Sequence, residues 1–187
     1  AIPALMMAAV FPFALRYCGA PYDVLLIFMI AMFIYLIYLF AISVFSHGKL
    51  VLEDVFASYA TVFYIMASFG ALVLLRDRDF GLYLVILTLY GPWISDVFAY
   101  FCGRIFGRHK LIPDVSPKKT VEGAVGGVVF CALAAILYGF ILKTLIGEIS
   151  SVSYVSLALI GAVIAVISQI GDLIMSHIKR KYGIKDY

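Results

Sequence analysis

The chain has 187 residues, of which 65% are hydrophobic and 13% charged, with a net charge of +3 and a mean hydropathy of +1.09. A soluble domain averages about 45–50% apolar and about 25% charged residues, and a soluble chain of this size cannot cover so much apolar surface with polar groups. A soluble globular domain, a disordered chain and a disulfide scaffold are thereby excluded, which leaves an all-α, polytopic membrane bundle forming a single transmembrane domain, residues 1–187.

A membrane span needs about 20 mostly apolar residues. The chain opens on Ala1 and closes on Asp186-Tyr187, and it is expected to be incomplete at both ends. Ala1 to Leu15 then reads as a partial, cut transmembrane helix, because it has neither a basic n-region nor a convincing cleavage site. Five full spans follow. The first, Asp23–Phe45, has no interior charge, and the second, Val55–Leu75, ends in the charged turn Arg76-Asp77-Arg78-Asp79. The third is Phe80–Cys102, the fourth Val121–Ile146 and the fifth Val152–Ile178. Most links are short and polar. The exception, Gly103 to Thr120, carries Arg104, Arg108, Lys110, Lys118 and Lys119 against Asp114, and the last residues add Lys179, Arg180, Lys181 and Lys185. The positive-inside rule puts both basic stretches on the cytoplasmic side, consistent with the even number of crossings between them. Residues 1–92 thus read as N-terminal spans, and residues 93–187 hold both basic stretches.

Charges inside spans are costly and mark functional sites by default. Asp96 in the third span and Asp172 in the fifth each lie near the basic end of their helix, so both should sit at similar depth. Ser176, Lys179 and Arg180 follow Asp172 at i+4, i+7 and i+8, on one helix face. A carboxylate there can hold a divalent metal, and the cations can hold phosphate; the alternative is an ordinary span end with snorkelling Lys and Arg. Tyr100, Gly103, Arg104 and Gly107 share the face of Asp96, whose alternative role is a structural hydrogen bond between helices.

Between the two acids, Pro117 pushes Ser116 out of the helical region. Ser116 or Thr120 can cap the next helix, and Glu122 suits its positive end. Lys118 and Lys119 stand just before that N-terminus, an arrangement suited to anions or to anionic lipid heads. Gly123 and Gly127 make a G-x-x-x-G face that can pack within one chain or between two. Cys18, Cys102 and Cys131 read as small buried hydrophobes. His47 and His109 read as loop residues, and His177 as a membrane-boundary residue. No nucleophile elbow and no Walker A pattern are present.

Taken together, these residues resemble a family. Gly171-Asp172-Leu173, Ser176, Lys179-Arg180 and Gly183-Ile184-Lys185-Asp186 look like the opening of the phosphatidate cytidylyltransferase (CDP-diacylglycerol synthase) signature. Ser95-Asp96, Ala99-Tyr100-Phe101, Gly103-Arg104, Phe106-Gly107, Ser116-Pro117-Lys118-Lys119-Thr120, Glu122-Gly123 and Gly126-Gly127 are similar to that family's central stretch. The resemblance covers roughly Trp93 to Asp186; the first half matches only as generic spans. It implies an enzyme of phospholipid biosynthesis that joins CTP and phosphatidate into CDP-diacylglycerol and pyrophosphate, with Mg2+ and a second, monovalent or divalent, cation. Asp172, Ser176, Lys179 and Arg180 are then the expected catalytic residues. Ser116, Lys118, Lys119, Thr120, Arg104 and Lys185 are the expected phosphate-binding residues, and Asp172, Asp96 and Asp186 the metal ligands. The family signature runs on past Lys185-Asp186 into an Asp-Arg-x-Asp group, whose acids are expected to complete the metal site.

The expected partners are CTP, phosphatidate and the lipid bilayer, with no nucleic acid and with a homodimer in view through the glycine face. The expected location is the bacterial inner (cell) membrane, with the active site facing the cytoplasm. Two other readings compete. A CTP-dependent polyprenol (dolichol-type) kinase would need a general base for its alcohol acceptor, whereas the phosphatidate phosphate is already an anion. A cation-coupled transporter would spread polar residues through several spans, but here they crowd at one face.

Overall fold

The computed structural model describes residues 11, 21–46, 51–147 and 153–183. Five helices in it are long and apolar enough to cross a membrane. They are α1 (Pro21–Phe45), α2 (Leu52–Arg76), α3 (Gly81–Phe106), α4 (Val121–Ile146) and α5 (Tyr154–Lys181). Bulky side chains such as Ile30, Phe33 and Ile37 on α1 and Leu133 and Leu137 on α4 are exposed, an arrangement suited to lipid as solvent. The protein is a helical integral membrane protein, as its composition required. The expected partial helix at Ala1–Leu15 lies outside the described residues apart from Phe11, as do Cys18, His47, Lys185 and Asp186.

The chain divides into two compact units, Ala1–Leu82 and Tyr83–Tyr187. In the first, Met32, Tyr35 and Leu39 of α1 and Val55, Val62 and Met66 of α2 form one buried cluster. Their spacings of three, four and seven residues give one apolar stripe per helix. The ring pairs Phe40–Phe56 and Phe28–Phe63 run in opposite chain order, so the two helices are antiparallel. Glu53 and Asp54 in the first turn of α2 and Arg76 in its last turn oppose the helix dipole at both ends. A turn through Phe80, whose φ of 57° lies in the left-handed region, redirects the chain into α3.

The second unit is built on a finer repeat. Buried residues recur every fourth position: Leu87, Gly91 and Ser95 on α3; Gly123, Gly127, Cys131, Ala135 and Gly139 on α4; Leu157, Gly161 and Ala165 on α5. Such rows form ridges that interdigitate between helices. Small residues bring the backbones close, as is usual where lipid removes the hydrophobic drive for helix pairing. A Cβ on Gly161 would lie 2.8 Å from the Ala135 side chain and 2.8 Å from the Cys131 carbonyl oxygen. The Cys131 thiol donates to the Gly91 carbonyl oxygen (3.4 Å), and the Tyr138 hydroxyl to that of Tyr83 (3.1 Å). α4 ends on Gly147 at φ 73°, and Ser153 caps α5 by accepting from the Val155 N–H.

Several helix limits differ from expectation by a few residues, including two C-terminal ends. α3 continues through Phe106 rather than ending at Cys102, and α5 continues through Lys181 rather than ending at Ile178. In both cases the charged residues are good helix formers, and they need not end a helix whose last turn reaches the interface. The long basic link is also not simply a loop. Lys110–Ile112 (β1) and Ser116–Thr120 (β2) pair antiparallel, Lys110 opposite Thr120 and Ile112 opposite Ser116. Pro117 sits in β2, so the extended bias it places on Ser116 is realised as a strand.

Candidate active site

The hairpin and three helices line a cavity of about 330 Å3. α3 contributes Asp96, Tyr100 and Arg104, the hairpin Lys118, Lys119 and Thr120, and α5 Gln169 and Asp172. Gly103 of α3 and Gly123 of α4 form part of the wall. These glycines are required there: a Cβ on Gly103 would lie 2.7 Å from Thr120 Oγ1, and one on Gly123 2.6 Å from the Ala99 carbonyl oxygen.

Local chemistry explains how the basic strand is held. Thr120, rather than Ser116, is the cap of α4, and its Oγ1 accepts from the Gly123 N–H at 3.2 Å. Glu122 in the first turn does more than suit the helix dipole. Its carboxylate accepts from the His109 N–H (3.2 Å to each oxygen) and from His109 Nδ1 (2.6 Å). The Val121 N–H donates to the His109 carbonyl oxygen (3.0 Å). His109 thus clasps the end of α3 to the start of α4, with the Lys118-Lys119 strand between them, although its sequence position read only as loop.

The two intramembrane acids meet across the cavity. Lys119 Nζ makes an ion pair with Asp172 Oδ2. Asp96 lines the same cavity. The Lys119 side chain is 28% exposed and that of Asp172 52%, so the pair is partly solvated and contributes little, roughly 0–1 kcal/mol. It can therefore be exchanged readily for another counter-ion. Arg104 Nη1 donates to the Tyr100 hydroxyl at 2.8 Å, which steers the guanidinium along the cavity wall.

Of the residues singled out in the sequence, Asp96, Arg104, Lys118, Lys119, Thr120 and Asp172 line this one cavity. Ser116, at the start of β2, does not line it, and neither do Ser176, Lys179 and Arg180, which lie beyond Asp172 toward the end of α5. The proposed face Asp172-Ser176-Lys179-Arg180 exists as a continuous helical stripe, but only its first member reaches the cavity. Lys185 and Asp186 fall outside the described residues. Among the described residues no group of three or more His, Cys, Asp or Glu side chains is placed to hold a metal. The Gly123–Gly127 face is filled within the chain: a Cβ on Gly127 would lie 2.8 Å from Gln169 Nε2 and 2.8 Å from the Ser95 carbonyl oxygen. Association with a second copy has to use another surface.

The sequence reading passed over Gln169 and gave Ser95 no role of its own. Gln169 lines the cavity and donates to Ser95 Oγ (3.1 Å) and to the Ala124 carbonyl oxygen (3.1 Å), while Ser95 is fully buried. The signal was present: an amide within an otherwise apolar span, three residues before an acid, calls for a partner.

Comparison with known proteins places the chain among relatives. A phosphatidate cytidylyltransferase of Aquifex aeolicus is 35% identical over 143 residues, 76% of this chain and 50% of that protein. One from Thermotoga maritima is 37% identical over 112 residues, 58% of this chain and 40% of the relative. One from Bacillus subtilis is 35% identical over 124 residues, 66% and 44% respectively. The chain spans half or less of the length of these relatives. A model described as the cytidylyltransferase family matches residues 1–187, and the chain belongs to that family.

Proposed function

We propose that this protein is a phosphatidate cytidylyltransferase, which converts CTP and phosphatidate to CDP-diacylglycerol and pyrophosphate. The observation that carries the reading is the convergence of Asp96 and Asp172 with Arg104, Lys118 and Lys119 on one cavity bounded by membrane-spanning helices. Both substrates are polyanions, and one of them lives in the bilayer. A cationic cavity at the ends of membrane helices suits a phosphate that arrives with its acyl chains still in lipid. The names of the relatives support the same activity.

In the proposed reaction an oxygen of the phosphatidate phosphate attacks the α-phosphorus of CTP. A new P–O bond forms, the bond to the β-phosphate oxygen breaks, and pyrophosphate leaves. The attacking group is already ionised, so no strong general base is needed. Positioning and charge neutralisation carry the catalysis, as is general for phosphoryl chemistry. Lys118 and Lys119 bring mobile ammonium groups from the strand, and Arg104 brings a fork-shaped guanidinium suited to two phosphate oxygens. The Thr120 cap and the Glu122–His109 clasp keep the strand in place while Lys119 exchanges its pairing with Asp172 for substrate phosphate.

The donor set fits a Mg2+ ion. Asp96 and Asp172 offer hard carboxylate oxygens to one cavity, and Mg2+ is commonly bound through one or two carboxylates plus substrate phosphates. Asp96 and Asp172 would hold it, with Asp186 as a further ligand, and a second cation is part of the same proposal. When bound, the ion would neutralise charge on the phosphate oxygens. Ser176, Lys179 and Arg180, past Asp172 on α5, would guide the substrate phosphates toward the cavity, and Ser116 and Lys185 are kept in the same proposal as phosphate-binding residues.

Arg108, Lys110, Lys118 and Lys179 to Lys181 flank the cavity side of the helices, which supports a site facing the cytoplasm of a bacterial inner membrane. The test is Mg2+-dependent conversion of cytidine-labelled CTP in mixed micelles, using the full-length protein. Label entering phosphatidate with release of pyrophosphate is the expected result. Transfer of the γ-phosphate to a polyprenol would replace the proposal with the kinase, and reaction with neither acceptor would restore the transport reading.

A further inference from the structure

Gln169 continues the every-fourth-residue row Leu157, Gly161, Ala165 on α5, and it is the polar member of that row. Opposite it stands Gly127, where a Cβ would crowd the Gln169 amide nitrogen at 2.8 Å. The nitrogen faces two acceptors, Ser95 Oγ and the Ala124 carbonyl oxygen, each at 3.1 Å. A backbone carbonyl can only accept, so this contact also fixes which end of the amide points there. One side chain thereby ties α5 to α3 at the residue next to Asp96, and to α4 one turn past its cap. Asp172 follows Gln169 by three residues on the same helix, on a neighbouring part of its surface. An apolar residue would close the seam by contact alone and would leave sliding along the ridges weakly opposed. Directional hydrogen bonds oppose sliding.

We propose that Gln169 is a positioning residue that sets the separation of the Asp96 and Asp172 carboxylates, and through it the affinity of the cavity for a divalent cation. The inference rests on the reading above that these two acids hold the metal. It does not require the nucleotide chemistry to be as proposed.

The test is Mn2+ binding alone, followed by electron paramagnetic resonance of the free ion, with the purified protein in detergent micelles. Gln169→Leu is expected to raise the Mn2+ Kd about tenfold, which is about 1.4 kcal/mol. Ser95→Ala, which removes one of the two bonds, should raise it less. The double variant should bind no worse than Gln169→Leu, because both changes break the same tie. Turnover should recover toward wild type as Mg2+ is raised. If Gln169→Leu fails to fold, Ser95→Ala carries the test, its change in volume being smaller. Unchanged Mn2+ affinity in folded variants, or additive losses in the double variant, overturns the proposal. So does a wild-type protein that binds no Mn2+. A wild-type protein that binds Mn2+ with the expected dependence on Gln169, yet transfers no cytidylyl group to phosphatidate, leaves this inference standing and removes the proposed function.

Discussion

The two units solve the same packing problem with different residues. In Ala1–Leu82 the helices meet through large side chains, with Met32, Tyr35 and Leu39 against Val55, Val62 and Met66. In Tyr83–Tyr187 they meet through Gly127, Cys131, Ala135 and Gly139 against Gly161 and Ala165, and a buried hydroxyl and an amide share the seam. Large apolar contacts are forgiving, because a bulky chain can shift rotamer and refill space. Close backbone contacts are not, because nothing flexible lies between the helices. The unit that holds the acids is therefore the one built to keep its helices at fixed distances. Preorganisation of charge requires this.

The largest expected effect lies in the second unit. Asp172→Asn is expected to lower Mg2+-dependent turnover by about 10²–10³-fold, the scale seen when one preorganised electrostatic group is removed. Thermal unfolding should be unchanged, since the Lys119 pair is partly solvated. Wild-type turnover in that variant would sink the metal assignment. Next comes Lys119→Ala, expected to cost about 10-fold in kcat/KM through lost phosphate pairing worth about 1.5 kcal/mol. Steady-state kinetics against CTP and phosphatidate separately would show which substrate it serves.

Glu122→Gln weakens the clasp to His109 without removing the helix cap at Thr120. It should raise the KM about fivefold through one weakened charge-assisted bond, with kcat nearly intact. Equal loss in kcat would mean that the carboxylate itself handles substrate.

The remaining pair of variants contrasts the two seams directly. Ala135→Leu places a large side chain where the Gly161 backbone lies, and is expected to cost about 1–3 kcal/mol of stability by overpacking. Met32→Leu in the first unit, a volume-conserving change at a residue only 3% exposed, should cost under about 1.5 kcal/mol. Unfolding in detergent measures both, and equal tolerance would erase the distinction drawn between the units.

Much of this molecule was legible from its residues. Runs of apolar side chains long enough to span a bilayer located all five helices, and the limits of the fourth, Val121–Ile146, coincide with the observed helix. The acids Asp96 and Asp172 stood out because a charge in a span is costly. The glycines at 123 and 127 announced a close contact. Less legible were the strands, since Lys110–Ile112 and Ser116–Thr120 are too short and too polar to show alternation. The stripe following Asp172 was correct as helix geometry, yet Ser176, Lys179 and Arg180 stop short of the cavity, because a face direction says nothing of where the neighbouring helix ends.

Sequence alone determined the solvent, the five full spans found among the described residues and the chemical types gathered in the second half, because hydropathy and charge are properties of single residues summed along a segment. Only the tertiary structure decided that Asp96, Arg104, Lys118, Lys119 and Asp172 share one cavity. It also decided that Gly127 packs inside the chain, and that Gln169 and Ser95 tie the helices together. Those outcomes depend on distances between residues far apart along the chain, and such distances are set by how side-chain ridges fit when the helices come together.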